Sequence, residues 1–132
     1  MRVKGLDGKS HSWNLGDYVG KIHQNASSLH KRVRIFFKER YPAAQILEEV
    51  YLPGENLYLD FYLPVFKLAC ECQGAQHDKY TAFFHTNKMG FIKAQSRDRR
   101  KADWCRLNEI WLVYFLPTEK STDWDKILNK TI

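Results

Sequence analysis

The run Ile110-Trp111-Leu112-Val113-Tyr114-Phe115 constrains this chain more than any other segment. Six apolar residues without alternation describe a strand covered on both faces. Pro117 ends the run, and a segment dense in Lys and Arg, residues 89–107, precedes it and reads as a helix. The strand therefore returns to its sheet by a crossover through that basic helix. Upstream, Leu29, Val33, Phe36 and Phe37 recur at helical spacing and predict a helix over 28–40. Ser27 or Ser28 can cap it and Pro42 stops it, while Lys31, Arg34 and Lys38 form its solvated face. Three strand-like segments follow, at 45–52, 57–63 and 67–73, joined by turns at Pro53-Gly54-Glu55-Asn56 and Pro64-Val65-Phe66. Asp7-Gly8 marks a hairpin within the first residues. Ser121 is the expected cap of a short final helix carrying Trp124, Ile127 and Leu128. The expectation is a single α/β domain over 1–132, a mixed central β-sheet flanked by helices.

Composition narrows the class. A chain of 132 residues with 44% hydrophobic side chains fills one core and is too apolar for a disordered basic tail. The balance of 21 Lys+Arg against 15 Asp+Glu, net +6, favours a polyanionic partner, with nucleic acid first. No apolar run approaches the roughly 20 residues needed to cross a bilayer, so no membrane is expected. Cys70, Cys72 and Cys105 are an odd set, which points to a reducing, cytoplasmic setting rather than a disulfide framework.

Strand alternation puts Tyr58, Asp60 and Tyr62 on one face and Leu59, Phe61 and Leu63 on the other. In the next strand Ala69, Glu71 and Gln73 oppose Leu68, Cys70 and Cys72. If both turns are symmetric, Asp60 falls opposite Glu71 and Glu49 opposite Asp60. Like charges directly across a sheet destabilise it, and a bound cation offsets the repulsion. Oxygen ligands suit Mg²⁺ or Mn²⁺ rather than zinc. From the residues alone, a metal site and a solvated polar face both remain open. A zinc set from Cys70, Cys72, His77 and Cys105 is disfavoured, because a pleated strand holds residues two apart at about 7 Å. Those cysteines read as small buried residues.

At Leu59-Asp60-Phe61-Tyr62-Leu63-Pro64 and Lys67-Leu68-Ala69-Cys70-Glu71-Cys72-Gln73-Gly74-Ala75-Gln76-His77 the chain resembles the PD-(D/E)XK nuclease superfamily. More narrowly, it is similar to the small phage and bacterial branch related to very-short-patch repair and homing endonucleases. The stretch from Phe91 to Cys105 and the strand after it extend the resemblance over about residues 27–115. What this implies is a restriction-endonuclease-like α-β-β-β-α-β core, with Asp60 and Glu71 holding a catalytic Mg²⁺ (or Mn²⁺) and the Cys72 carbonyl as a further ligand. Gln73 stands where most members carry lysine, and can orient water but not polarise it by charge. Leu59 replaces the proline of the motif, and His30 occupies the place of a helix-one glutamate. Glu49 is the substitute third acid, on alternation grounds. His77 matches a histidine that acts as acid/base or phosphate contact, or else fixes the following loop. Gln95, Asp98 and Lys101 share one helical stripe, which the resemblance turns toward the site.

The function implied is a metal-dependent DNA endonuclease, phage- or mobile-element-associated, with catalytic residues Asp60, Glu71, Gln73 and His77. Lys93, Gln95, Arg97, Arg100 and Lys101 would hold DNA. Two alternatives stand beside it: a non-catalytic nucleic-acid-binding protein of nuclease-like fold, and a homodimeric Holliday-junction resolvase.

Overall fold

The computed structural model describes residues 1–73 and 95–132 in full and residues 88–94 as helix. A small hairpin, β1 (Arg2–Lys4) and β2 (Ser10–Ser12), opens the chain, and a 3₁₀ turn follows at Leu15–Tyr18. Then come α1 (Ser28–Arg40), β3 (Leu47–Leu52), β4 (Leu57–Leu63), β5 (Leu68–Cys72), α2 (Lys88–Leu107), β6 (Trp111–Phe115) and α3 (Ser121–Thr131). Among the described residues the main sheet has the order β3-β4-β5-β6. Its first two pairings are antiparallel, and β6 runs parallel to β5 after the α2 crossover. The protein is thus a mixed α/β fold of three helices, a four-stranded mixed sheet and a two-stranded hairpin.

Local chemistry accounts for the boundaries. The Ser27 hydroxyl accepts the His30 amide at 3.1 Å to start α1, and the helix stops before Pro42. The β3–β4 turn needs a left-handed residue at Gly54 (φ 86°), where a Cβ would also lie 2.9 Å from the His11 ring. One expected cap differs. Ser121 is the first residue of α3, and Lys120 takes the N-cap position, because the Asp123 carboxylate accepts the Lys120 amide at 2.8 Å.

β6 is less covered than its unbroken apolar run implies, with Trp111 56% exposed and Leu112 and Tyr114 half-buried at the end of the sheet. Both faces of the sheet carry a buried cluster. On one, Leu47, Val50, Leu59, Tyr62 and Ala69 meet Trp104 and Cys105 of α2 and Val3 and Trp13 of the N-terminal segment. Trp13 packs at 4.8 Å from the Tyr62 ring and 5.1 Å from Trp104, and its indole N–H donates to the Tyr51 carbonyl. On the other face, Val33, Phe36 and Phe37 of α1 and Trp124 and Leu128 of α3 close over Phe61, Leu63, Leu68, Val113 and Phe115. Arg40 ties α1 to α3 through Asp125 and Asn129.

Alternation does not run unbroken through β3 and β4. Leu57 and Leu59 belong to the α2-side cluster, yet Phe61 and Leu63 belong to the α1-side cluster and Tyr62 lies with Leu59. Leu47 and Val50 likewise share a face although three residues apart. The reversal falls at Glu49 and Asp60, the one opposed pair missing from the ladder between Glu48↔Phe61 and Val50↔Leu59. Glu49 sits in the left-handed region (φ 53°), which switches the faces without shifting the register. Tyr58, Asp60 and Tyr62 therefore do not share a face, contrary to simple alternation: Tyr58 is 45% exposed and Tyr62 fully buried.

Phe37 is fully buried between α1 and the sheet. Phe37→Ala should lower unfolding free energy by about 3–5 kcal/mol, measured by urea denaturation, with the cavity left behind adding to the lost transfer energy.

Candidate metal and nuclease site

The β4–β5 ladder pairs Leu63↔Leu68, Tyr62↔Ala69 and Phe61↔Cys70 and then ends. Continued by one step, the same register opposes Asp60 to Glu71, as a symmetric turn over residues 64–67 requires. Here the side chains take over from the backbone. The Asp60 amide donates to Glu71 Oε2 at 2.7 Å, and the Cys72 amide donates to Asp60 Oδ2 at 2.8 Å. Two carboxylates thereby fill the gap where β4 and β5 part, and each is held by a backbone N–H of the opposite strand.

Glu71 is buried and Asp60 only partly so. From α2, Lys101 places Nζ 2.5 Å from Glu71 Oε1. Burial pushes the Glu71 carboxyl up, the Asp60 carboxylate adds to the push, and Lys101 offsets part of it; the net direction is upward. Burial alone would lower the Lys101 ammonium, but Glu71, Asp60 and Asp98 outweigh it and hold the proton on. Lys101 is therefore a fixed positive charge rather than a base.

The donor set fits a hard divalent cation. It is made of oxygen, and two carboxylates meet one ammonium there. Asp60, Glu71 and the Cys72 carbonyl would hold such an ion, with Lys101 sharing Glu71. Among the described residues there is no group of three or more His, Cys, Asp or Glu side chains that could hold a metal ion.

The remaining expected residues are distributed as follows. Glu49 does not join the pair, since its left-handed backbone turns its carboxylate to His23 Nδ1 at 3.5 Å. Gln73 is half-buried, and its backbone N–H donates to the Phe115 carbonyl at 3.0 Å. His77 lies outside the described residues, as does the side chain of Lys93. Gln95 and Arg97 are exposed on α2. Arg100 donates to the Glu55 carbonyl at 2.7 Å and so braces the β3–β4 turn. Lys101, expected at the phosphate, contacts the acid itself. Cys70, Cys72 and Cys105 are free thiols held up by burial, Cys105 to about 12, so none is primed as a nucleophile.

One buried cluster corrects the sequence reading, because Arg34, expected on the solvated face of α1, turns inward to Glu48. Glu48 accepts from His30 Nε2 at 2.8 Å, from Arg34 Nε and Nη2 at 2.7 and 2.8 Å, and from the His23 amide at 3.2 Å. His30 stacks on Phe61 at 4.2 Å, beside Asp60 in the chain. The i, i+4 spacing of His30 and Arg34 was the available signal, yet nothing in the sequence announces that Glu48 turns toward them.

Fold and site together describe a mixed α/β protein with a cross-strand acid pair neutralised in part by a helix lysine. No protein-family profile matches the chain, and no solved structure does. It is similar to uncharacterized protein 307L of Invertebrate iridescent virus 6, 43% identical over 58 residues, 44% of this chain and 29% of that protein. It is also similar to uncharacterized protein 033L of Invertebrate iridescent virus 3, 35% identical over 72 residues, 54% of this chain and 37% of that protein. The chain spans about a third of the length of the curated relatives it matches. Among the described residues, no helix is long and apolar enough to cross a membrane.

Burial pushes the Glu48 carboxyl up, but its hydrogen bonds from His30, Arg34 and the His23 amide prevail and bring it from 4.5 to about 2. A carboxyl lowered by folding stabilises above its unfolded value, and that contribution is lost as pH falls through the folded one. On the order of 3 kcal/mol should therefore disappear between about pH 4.5 and pH 2. Denaturant titrations should show the stability gap between the native chain and Glu48→Gln largest above pH 5 and closing toward pH 2.

Proposed function

We propose that this chain is a metal-dependent DNA endonuclease of the PD-(D/E)XK type, in which Asp60 and Glu71 hold Mg²⁺ or Mn²⁺. The observation that carries the reading is the reciprocal bonding of the two acids across the parted strands β4 and β5. The order α1, a three-strand meander, the α2 crossover and a parallel β6 supports it, being the core expected of the superfamily.

A divalent cation in this place supplies charge neutralisation on the transferring phosphoryl group and a more acidic water. The chain's own residues do the rest. Asp60 and Glu71 are each oriented by a backbone amide of the facing strand. Lys101 brings the charge that Gln73 lacks, from the helix instead of the strand, and can move from Glu71 toward a phosphate oxygen. Gln73 is left the task of orienting water. Arg97, exposed on the same helix, suits the phosphate backbone.

The ammonium already seated on Glu71 favours a second reading, a nuclease-like fold that binds nucleic acid without cutting it. Supercoiled-plasmid nicking separates the two. Cleavage should require Mg²⁺ or Mn²⁺ and fall at least roughly 100-fold in Asp60→Asn, Glu71→Gln and Lys101→Met. Cleavage that survives Asp60→Asn and Glu71→Gln would rule out the nuclease reading, and binding without cleavage in either metal would establish the second one. In the same preparations, millimolar Mg²⁺ should raise the melting temperature by a few degrees, and Asp60→Asn should abolish the shift.

A further inference from the structure

Two strands and a helix converge on one carboxylate. Glu71 Oε2 accepts the Asp60 amide at 2.7 Å and Oε1 accepts from Lys101 Nζ at 2.5 Å, while Asp60 Oδ2 accepts the Cys72 amide at 2.8 Å. Three of the four carboxylate oxygens in the pair therefore already face a donor. The ion pair is sheltered: the Glu71 side chain is 6% exposed and that of Lys101 18%. Asp60 and Asp98 add to the negative field that holds the ammonium there. Arg97 stands one turn before Lys101 on α2, exposed beside the β3–β4 turn.

The ammonium of Lys101 and an ion seated at Asp60 and Glu71 draw on the same carboxylate. A sheltered ammonium and a divalent ion a few ångström apart repel strongly, because little water screens them. We propose that Lys101 is a resident counter-cation that resists loading of a divalent ion until a DNA phosphate draws it off Glu71, so that ion and nucleic acid are taken up together. The flexible stem of a lysine lets the ammonium swing while α2 stays in place, anchored by Trp104 and Cys105 in the core. A strand gripped by Arg97 brings a neighbouring phosphate to the turn that carries Lys101. Both charges are then served, the ammonium by phosphate and Glu71 Oε1 by a hard cation. Linkage makes the effect reciprocal: each ligand strengthens the other. A buried ion pair also fastens α2 to β5, but that role alone gives no reason for metal affinity to rise when the lysine is removed. The inference rests on the nuclease reading for the ion's seat, and on the Lys101–Glu71 contact for the competition.

Electron paramagnetic resonance of free Mn²⁺, with the full chain and no nucleic acid, measures loading without catalysis. Lys101→Met should take up Mn²⁺ roughly tenfold more tightly than the native chain, whereas Lys101→Arg, which keeps the charge, should not. Mn²⁺ should accordingly raise the melting temperature more in Lys101→Met than in the native chain. In the unaltered protein, acylation footprinting by mass spectrometry reads the amine directly. Saturating Mn²⁺ should speed modification of Lys101 several-fold over EDTA, and a hydrolysis-resistant phosphorothioate duplex added with it should slow it again. The same duplex should tighten Mn²⁺ uptake by at least roughly tenfold beyond its effect on Asp60→Asn. A folded Lys101→Met that binds Mn²⁺ no more tightly than the native chain overturns the proposal, and so does Lys101 reactivity indifferent to saturating Mn²⁺. Tighter uptake in Lys101→Met, with ordinary duplex left uncut by the native chain, would defeat the nuclease reading alone. Cleavage that needs Mn²⁺ and Asp60, with Lys101 unmoved by the ion, would defeat the counter-cation alone.

Discussion

The structure turns on the place where β4 and β5 stop bonding to one another. An antiparallel pair loses about one backbone hydrogen bond per residue when it opens, and unsatisfied amides in a part-buried gap are costly. Asp60 and Glu71 supply the missing acceptors, each to an amide of the facing strand. The same two side chains that permit the gap are therefore the ones it exposes. Satisfying backbone donors and gathering negative charge are a single arrangement here, and the charge is only partly cancelled by Lys101.

α2 makes that arrangement durable. Trp104 and Cys105 anchor the helix against the sheet in the cluster completed by Trp13, and Lys101, one turn earlier, reaches the acid. The N-terminal segment, whose purpose the sequence leaves open, contributes Val3 and Trp13 to this core and holds the β3–β4 turn through the Leu6 amide, which donates to Glu55. On the opposite face, the Glu48 cluster fastens α1 to β3 beside Asp60, so polar contacts brace the site from both layers.

Much of this was legible because turns and periodicity carry register. The turns after Leu52 and Leu63 are short and punctuated by proline, so counting outward from them pairs the strands as observed. The bounds of α1 and β4 follow from Ser27, Pro42 and the flanking turn residues in the same way. Glu49 was not legible as observed. A glutamate gives no signal of a left-handed backbone, and a single such residue exchanged the faces of everything beyond it. Assigning Glu49 to the acid pair and overlooking Glu48 are two sides of that one event. Lys101 was visible only as a member of a stripe, since a helix pattern gives the direction of a side chain but not what waits opposite it.

Arg100 and Lys101 are neighbours on α2, yet they serve different parts of the molecule: one grips the Glu55 carbonyl, the other the Glu71 carboxylate. Replacing Arg100 thus removes a mechanical brace together with a charge, whereas Arg97 is exposed at the rim of the cleft beside the β3–β4 turn. Lost affinity in an Arg100 variant would conflate a looser hairpin with a missing phosphate contact, and Arg97 is the cleaner probe of electrostatic grip.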